Sequence, residues 1–167
     1  MNAAIVFPVI LLSWFVGHHV GDHLIQTDRQ AREKGGAHGH GACLSHVATL
    51  TVTKLVLLAE AFTALDLWGT TTTWALLAGV ALDAVTHYWA DRRHTLATFS
   101  ELTAKGNFYR LAPPLGGAHL IDQSWHLAWL FVAALIAATG SFALLATAAA
   151  AFAAIAATVY LSQKETV

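Results

Sequence analysis

Long apolar runs separated by short polar connections make up nearly the whole chain. A helix that crosses a bilayer needs about 20 mostly apolar residues. Five stretches have that character, roughly 4–25, 44–65, 72–91, 119–139 and 141–161. The pattern predicts an all-α, polytopic membrane bundle of about five transmembrane helices, forming a single domain over residues 1–167. Gly140 and Ser141 are all that separates the last two runs, which therefore fold as a helical hairpin. The final run, FALLATAAAAFAAIAATVYL, is uncharged and rich in small residues, as expected of a helix that packs and closes a bundle. The first run, Ala3 to Val16, lacks both the positive leader and the small-residue cleavage site of a signal peptide. It reads as a retained helix.

Polar residues interrupt four of these runs, always near the same end. His19, Asp22, His23 and Gln26 stand at i, i+3, i+4 and i+7 in the first, which places them on one helix face. Asp83, His87 and Asp91 form a stripe along the third, His119, Asp122 and His126 another in the fourth, and His46 lies early in the second. Runs that cross alternately bring all of these to one membrane face. Lipid does not solvate such stripes, so they must face the bundle interior, where ionisable groups are costly and usually functional. His18 points about 100° away from His19, so only one of the two faces the others.

Charge orients the bundle. Eight of the nine basic residues (Arg29, Arg32, Lys34, Arg92, Arg93, Lys105, Arg110 and Lys164) flank the polar end, whereas the opposite end has only Glu60 and Asp66. The positive-inside rule then puts the N-terminus outside and the C-terminus inside a plasma membrane. Trp68 and Trp74 suit the outer interface, Trp89 and Trp125 the inner one. Two connections remain on the basic side. Residues 28–43 form a Gly-rich loop in which His38 and His40 are expected in solvent. Residues 92–118 are long enough to hold a surface helix over Thr95 to Lys105 and to act as a lid.

Composition narrows the chemistry. The chain is 56% hydrophobic and 11% charged, against about 25% charged for a soluble domain, so its main surroundings are lipid. A net charge of -1 excludes an electrostatic grip on nucleic acid. A single cysteine, Cys43, allows neither an intrachain disulfide nor a thiolate cage. Nitrogen and oxygen donors without sulfur suit Zn, Mn, Fe(II) or Ni, or Mg where carboxylates dominate.

The candidate ligands of a divalent metal are His19, Asp22, His46, His87, Asp91, Asp122 and His126. This set exceeds what one tetrahedral ion needs. It implies either two ions or carboxylates that orient histidines. Asp83 lies about 12 Å deeper than Asp91, at the depth of Lys54, and the two are expected to pair. Asp22 or Asp91 is the candidate general base, and Arg92, Arg93 and Arg110 are the candidate anion-binding groups. The alternative for the whole cluster is a polar network that only fixes helix packing.

The motifs His19-Val-Gly-Asp22 with Gln26-Thr27, Asp83-x-x-x-His87 and Asp122-Gln123-x-x-His126 together resemble the family of small membrane proteins called domain of unknown function 3307. The likeness covers residues 15–130. It implies a bacterial or phage integral membrane protein and points to these residues, without implying a reaction.

Three functions fit this reading. The first is a metal-dependent hydrolase acting on a phosphoester or peptide, lipid or protein in origin, at the cytoplasmic leaflet. The second is a proton or divalent-cation transporter, which needs a path past Leu57, Leu58, Phe62 and Trp74. The third is a non-enzymatic accessory protein with a structural cluster. The sequence leaves the oligomeric state open.

Overall fold

In lipid, backbone polar groups must be satisfied within each segment, and the helix is the solution open to a single segment. The computed structural model describes residues 3–114 and 116–165, and no strand occurs among them. The elements are α1 (Ala3–Val20, continued by a π-helical turn, Gly21–Ile25), α2 (Asp28–Glu33), α3 (His40–Ala64), α4 (Thr73–Asp91), α5 (His94–Leu102), α6 (Gly106–Tyr109), α7 (Gly117–Thr139) and α8 (Phe142–Glu165).

By length and composition, four helices suffice to cross a membrane: Ala3–Ile25, His40–Ala64, Gly117–Thr139 and Phe142–Glu165. The third expected span, α4, is less apolar because it carries Asp83, His87 and Asp91. These three are buried on the same face as Ala75, Gly79, Leu82 and Thr86. The bundle covers its polar side, so α4 joins the bundle without turning its charges outward.

Long helices consecutive in the chain run in opposite directions. Gly17 and Gly21 of α1 lie against Lys54 and Leu50 of α3. Trp125 at the start of α7 donates to the Thr86 carbonyl near the end of α4, while Thr71, just before α4, donates to the Ala137 carbonyl late in α7. Two glycines let long helices cross closely. A Cβ on Gly17 would stand 2.8 Å from Lys54 Cα, and one on Gly79 would stand 2.6 Å from the Ala133 carbonyl oxygen. Small residues at such crossings let helices approach closely where lipid supplies no hydrophobic drive.

Gly140 ends α7 in the left-handed region, with φ 61°, and returns the chain into α8. There Phe142 stacks on Trp74, with ring centroids 4.3 Å apart. At the other end of α8, Gln163 donates to Thr98 of α5.

The two ends of the bundle differ in content. One end is filled by Val6, Ile10, Trp14, Leu58, Phe62, Leu130 and Ala134, all buried together. The other, where α1 and α4 finish and α3 and α7 begin, holds the histidines and aspartates. Beside it, Trp89 and Trp125 stack at 4.7 Å, and Phe152 of α8 packs on both. Trp125 is therefore a core residue, 8% exposed, rather than the interfacial anchor its sequence position suggested.

Candidate metal centre

The buried side of α1 advances in steps of four, through Val6, Ile10 and Trp14 to His18. One further step reaches Asp22, and the π-helical turn extends the face to Gln26. In that turn the Gln26 amide donates to the Gly21 carbonyl at 2.9 Å, an i to i+5 bond. Such turns widen a helix locally and recur at functional sites. His18 is consequently the histidine that faces inward, fully buried, with Nε2 3.4 Å from Asp22 Oδ2 and 3.4 Å from Gln123 Oε1. His19, favoured from sequence, turns back to the Phe15 carbonyl at 3.0 Å. The four-residue apolar repeat ahead of His18 was the signal for this outcome.

Four side chains from three helices converge next to His18. His46 Nε2 and His87 Nε2 face each other at 3.3 Å. Asp22 Oδ1 lies 3.0 Å from the first and 4.0 Å from the second. Asp91 Oδ2 lies 3.4 Å and 3.2 Å from the same two nitrogens. Ligands about 2.0–2.1 Å from a tetrahedral ion are separated from one another by about 3.3–3.4 Å, close to this spacing. Asp22 Oδ1 and Asp91 Oδ2 are both buried, and neither receives a well-directed hydrogen bond. A buried carboxylate oxygen without a donor is costly. Asp22, His46 and His87 form one group placed to hold an ion, and His87, Asp91 and His126 form a second.

His126 is buried, stacks on His87 with ring centroids 3.9 Å apart, and lies 3.5 Å from Asp122 Oδ1 and 3.8 Å from Asp91 Oδ1. Asp122 differs from the other two aspartates in being 30% exposed at its side chain. Lys34, unremarked in the sequence beyond its place among the basic residues, closes the set: its Nζ lies 2.8 Å from Asp91 Oδ1. One turn of α4 further in than His87, Asp83 Oδ2 accepts a hydrogen bond from Lys54 Nζ at 2.7 Å, with both side chains buried.

The arginines proposed from sequence as anion ligands separate into different roles. Arg92 is buried and donates to the Lys34 and Gly36 carbonyls at 2.7 and 2.6 Å, so its guanidinium is committed to backbone. Arg110 pairs with Glu101 and donates to Asn107 Oδ1 at 2.9 Å, both on the α5–α6 segment. Arg93 donates to the Ala31 carbonyl at 2.9 Å and keeps a place on a cleft above the cluster.

That cleft, about 390 Å³, has Asp22 and Asp91 in its lining together with Lys34, Arg93, Tyr109, His119, Asp122 and Gln123. Leu96 of α5 and Tyr109 of α6 form part of the wall, so the expected lid segment does reach the site. Burial, and after it the Asp122 carboxylate, push the Tyr109 phenol above its ordinary pKa, leaving it a protonated donor at neutral pH. Of the loop histidines, His38 is exposed, and His40 Nδ1 meets the Tyr88 hydroxyl at 2.5 Å.

No curated protein and no solved structure matches the chain. A family model does, and the residues it spans, 10–155, include every side chain of this cluster and its cleft. Its description is "Protein of unknown function (DUF3307)", and the chain belongs to that family.

Proposed function

We propose that this protein is a membrane-embedded, metal-dependent hydrolase whose divalent ion is held by Asp22, His46, His87 and Asp91. One observation carries the reading. Two buried carboxylate oxygens without directed hydrogen bonds lie between 3.0 and 4.0 Å from two facing imidazole nitrogens, in two groups that share His87 and could hold an ion. Charge supports a single ion rather than two. A dication together with the Lys34 ammonium balances Asp22, Asp91 and Asp122, whereas a second dication would leave surplus positive charge in a buried site. The donor set suits Zn, Mn, Fe(II) or Ni, and Mg to a lesser degree.

Held by these four side chains, a divalent ion would supply Lewis acidity for activating water and polarising a phosphoryl or carbonyl oxygen. Asp22 and Asp91, the bases considered from sequence, serve as ligands in this arrangement. Asp122 is the carboxylate with an open side toward the cleft, and His126 beside it holds its orientation, so proton transfer falls to Asp122. The basic residues flanking the cleft end of the helices support a site at the cytoplasmic face of a plasma membrane, with the N-terminus outside. A phosphoester or a peptide segment reaches the cleft from that side.

Transport fits less well. Leu58 and Phe62 are buried in the closed apolar half with Val6, Ile10 and Trp14, where a conduction path would have to run.

Elemental analysis of the purified protein should find about one divalent metal per chain. Hydrolysis of phosphoester or peptide test substrates should stop on chelation and return with the metal. A folded, metal-free protein that is indifferent to chelators overturns the reading.

A further inference from the structure

The loop between α2 and α3 is held in a way its Gly-rich sequence does not suggest. Thr27 and Gln30 form a capping box that starts α2, and the helix ends at Lys34. Arg92 takes the carbonyls on either side of Gly35, those of Lys34 and Gly36. The stem of Arg93 crosses directly over Gly35, where a Cβ would stand 2.5 Å from Arg93 Cδ. Arg93 itself is held at φ 58°, a conformation that is strained for a non-glycine residue and tends to persist at functional sites. Two adjacent arginines thus strap one turn of backbone in place. The turn projects Lys34, its side chain 11% exposed, into the cleft wall against Asp91.

We propose that the cleft binds a phosphoryl anion, with Lys34 and Arg93 as its ligands and Tyr109 as a further donor. This rests on the metal-dependent reading above and names its substrate class. An ammonium has three N–H donors and no acceptor. The Asp91 contact uses one, leaving Lys34 donors for the cleft. Without metal, the cleft sets Asp22, Asp91 and Asp122 against only two cations, and an anion is repelled. With a dication bound the balance turns positive by one charge, carried by Arg93 at the wall. A peptide carbonyl, with only a partial charge, leaves that cation unmatched, whereas a phosphate monoester answers it and offers several acceptors. Anion binding is therefore conditional on metal. The same group arrives either as a free phosphate compound or as a phospholipid headgroup.

The test measures binding of inorganic phosphate to metal-loaded protein by calorimetry. In parallel, it measures binding to nanodiscs of phosphatidylcholine with and without phosphatidate, to separate the two sources. Phosphate in at least one form should bind, and the binding should vanish when the metal is removed. Lys34→Gln should weaken it at least tenfold while metal content stays the same or rises, because a positive neighbour of Asp91 has gone. Arg93→Gln, at an exposed residue, should weaken it several-fold and serves if Lys34→Gln does not fold. The proposal fails if metal-loaded protein binds neither form, if both variants bind like wild type, or if Lys34→Gln loses metal together with phosphate. A protein that holds metal and binds no phosphate refutes this proposal alone. A protein that holds no metal refutes the hydrolase reading and this proposal with it.

Discussion

Two buried ionic clusters lie one turn of α4 apart, and their composition differs sharply. Lys54 and Asp83 are matched one to one at 2.7 Å, with the pair enclosed by helices. Next to them, Asp22, Asp91 and Asp122 gather around four buried histidines with Lys34 as the neighbouring cation. The first cluster is complete. A matched buried pair gains little over well-packed apolar residues, and this one ties α3 to α4. The second has more negative charge than its own cations offset, together with carboxylate oxygens that lack directed donors. That imbalance, rather than the number of polar residues, separates a site that calls for an ion from one that only fixes packing.

The largest effect should come from removing a member of the unbalanced cluster. His46→Ala and His87→Ala each delete one of the facing nitrogens and should lower metal affinity by more than about 100-fold, beyond the range typical of residues that only orient ligands. Metal content after dialysis checks this.

The balanced cluster should respond in stability instead. Lys54→Leu alone strands Asp83 in the bundle and should cost about 3–5 kcal/mol, read as reduced thermal stability in detergent. The double variant Lys54→Leu with Asp83→Leu removes both charges and should recover most of that loss, with metal content unchanged throughout. Loss of metal in the double variant breaks the division between the clusters and makes Asp83 part of the centre.

Much of this was legible from the chain, and what was not has a common cause. The long helices were legible because apolar length is a local property, although four of the five, without α4, are apolar enough to cross a membrane. The bounds differ most at the start of α3, His40 against the expected 44, and at the end of α8, Glu165 against 161. The stripe Asp83, His87 and Asp91 was legible because spacing by four keeps one face of a regular helix, and all three are buried on the same side of α4. Lys34 was not legible. Its direction is set by Arg92, 58 residues away, and by the Arg93 stem over Gly35. Arg92 was assigned to anions from its charge alone, and only the fold shows its guanidinium turned to carbonyls. Long-range hydrogen bonds to backbone leave no period in a sequence.

The choice between His18 and His19 shows the same limit at the scale of one residue, and supplies the smallest predicted effects. A regular helix places both residues three or four positions before Asp22, so spacing to the aspartate does not separate them. Packing does: Gly17 and Gly21 press α1 onto α3, which turns His18 into the bundle at 0% exposure. His19 is left against Phe15, outside the cluster. His18 lies by Asp22 Oδ2, the oxygen of that carboxylate turned away from His46, and in the proposed centre it would orient Asp22 rather than bind the ion. His18→Ala should therefore weaken metal binding by about 10–100-fold, as loss of a group that orients a ligand does. His19→Ala should leave affinity within about twofold, since an exposed contact of this kind is worth a few tenths of a kcal/mol. Competition titrations with a chelator on the two variants measure both values. The reverse order, with His19→Ala the more damaging, requires α1 to be rotated by about 100° in the metal-bound protein, and with it the face on which the whole cluster is built.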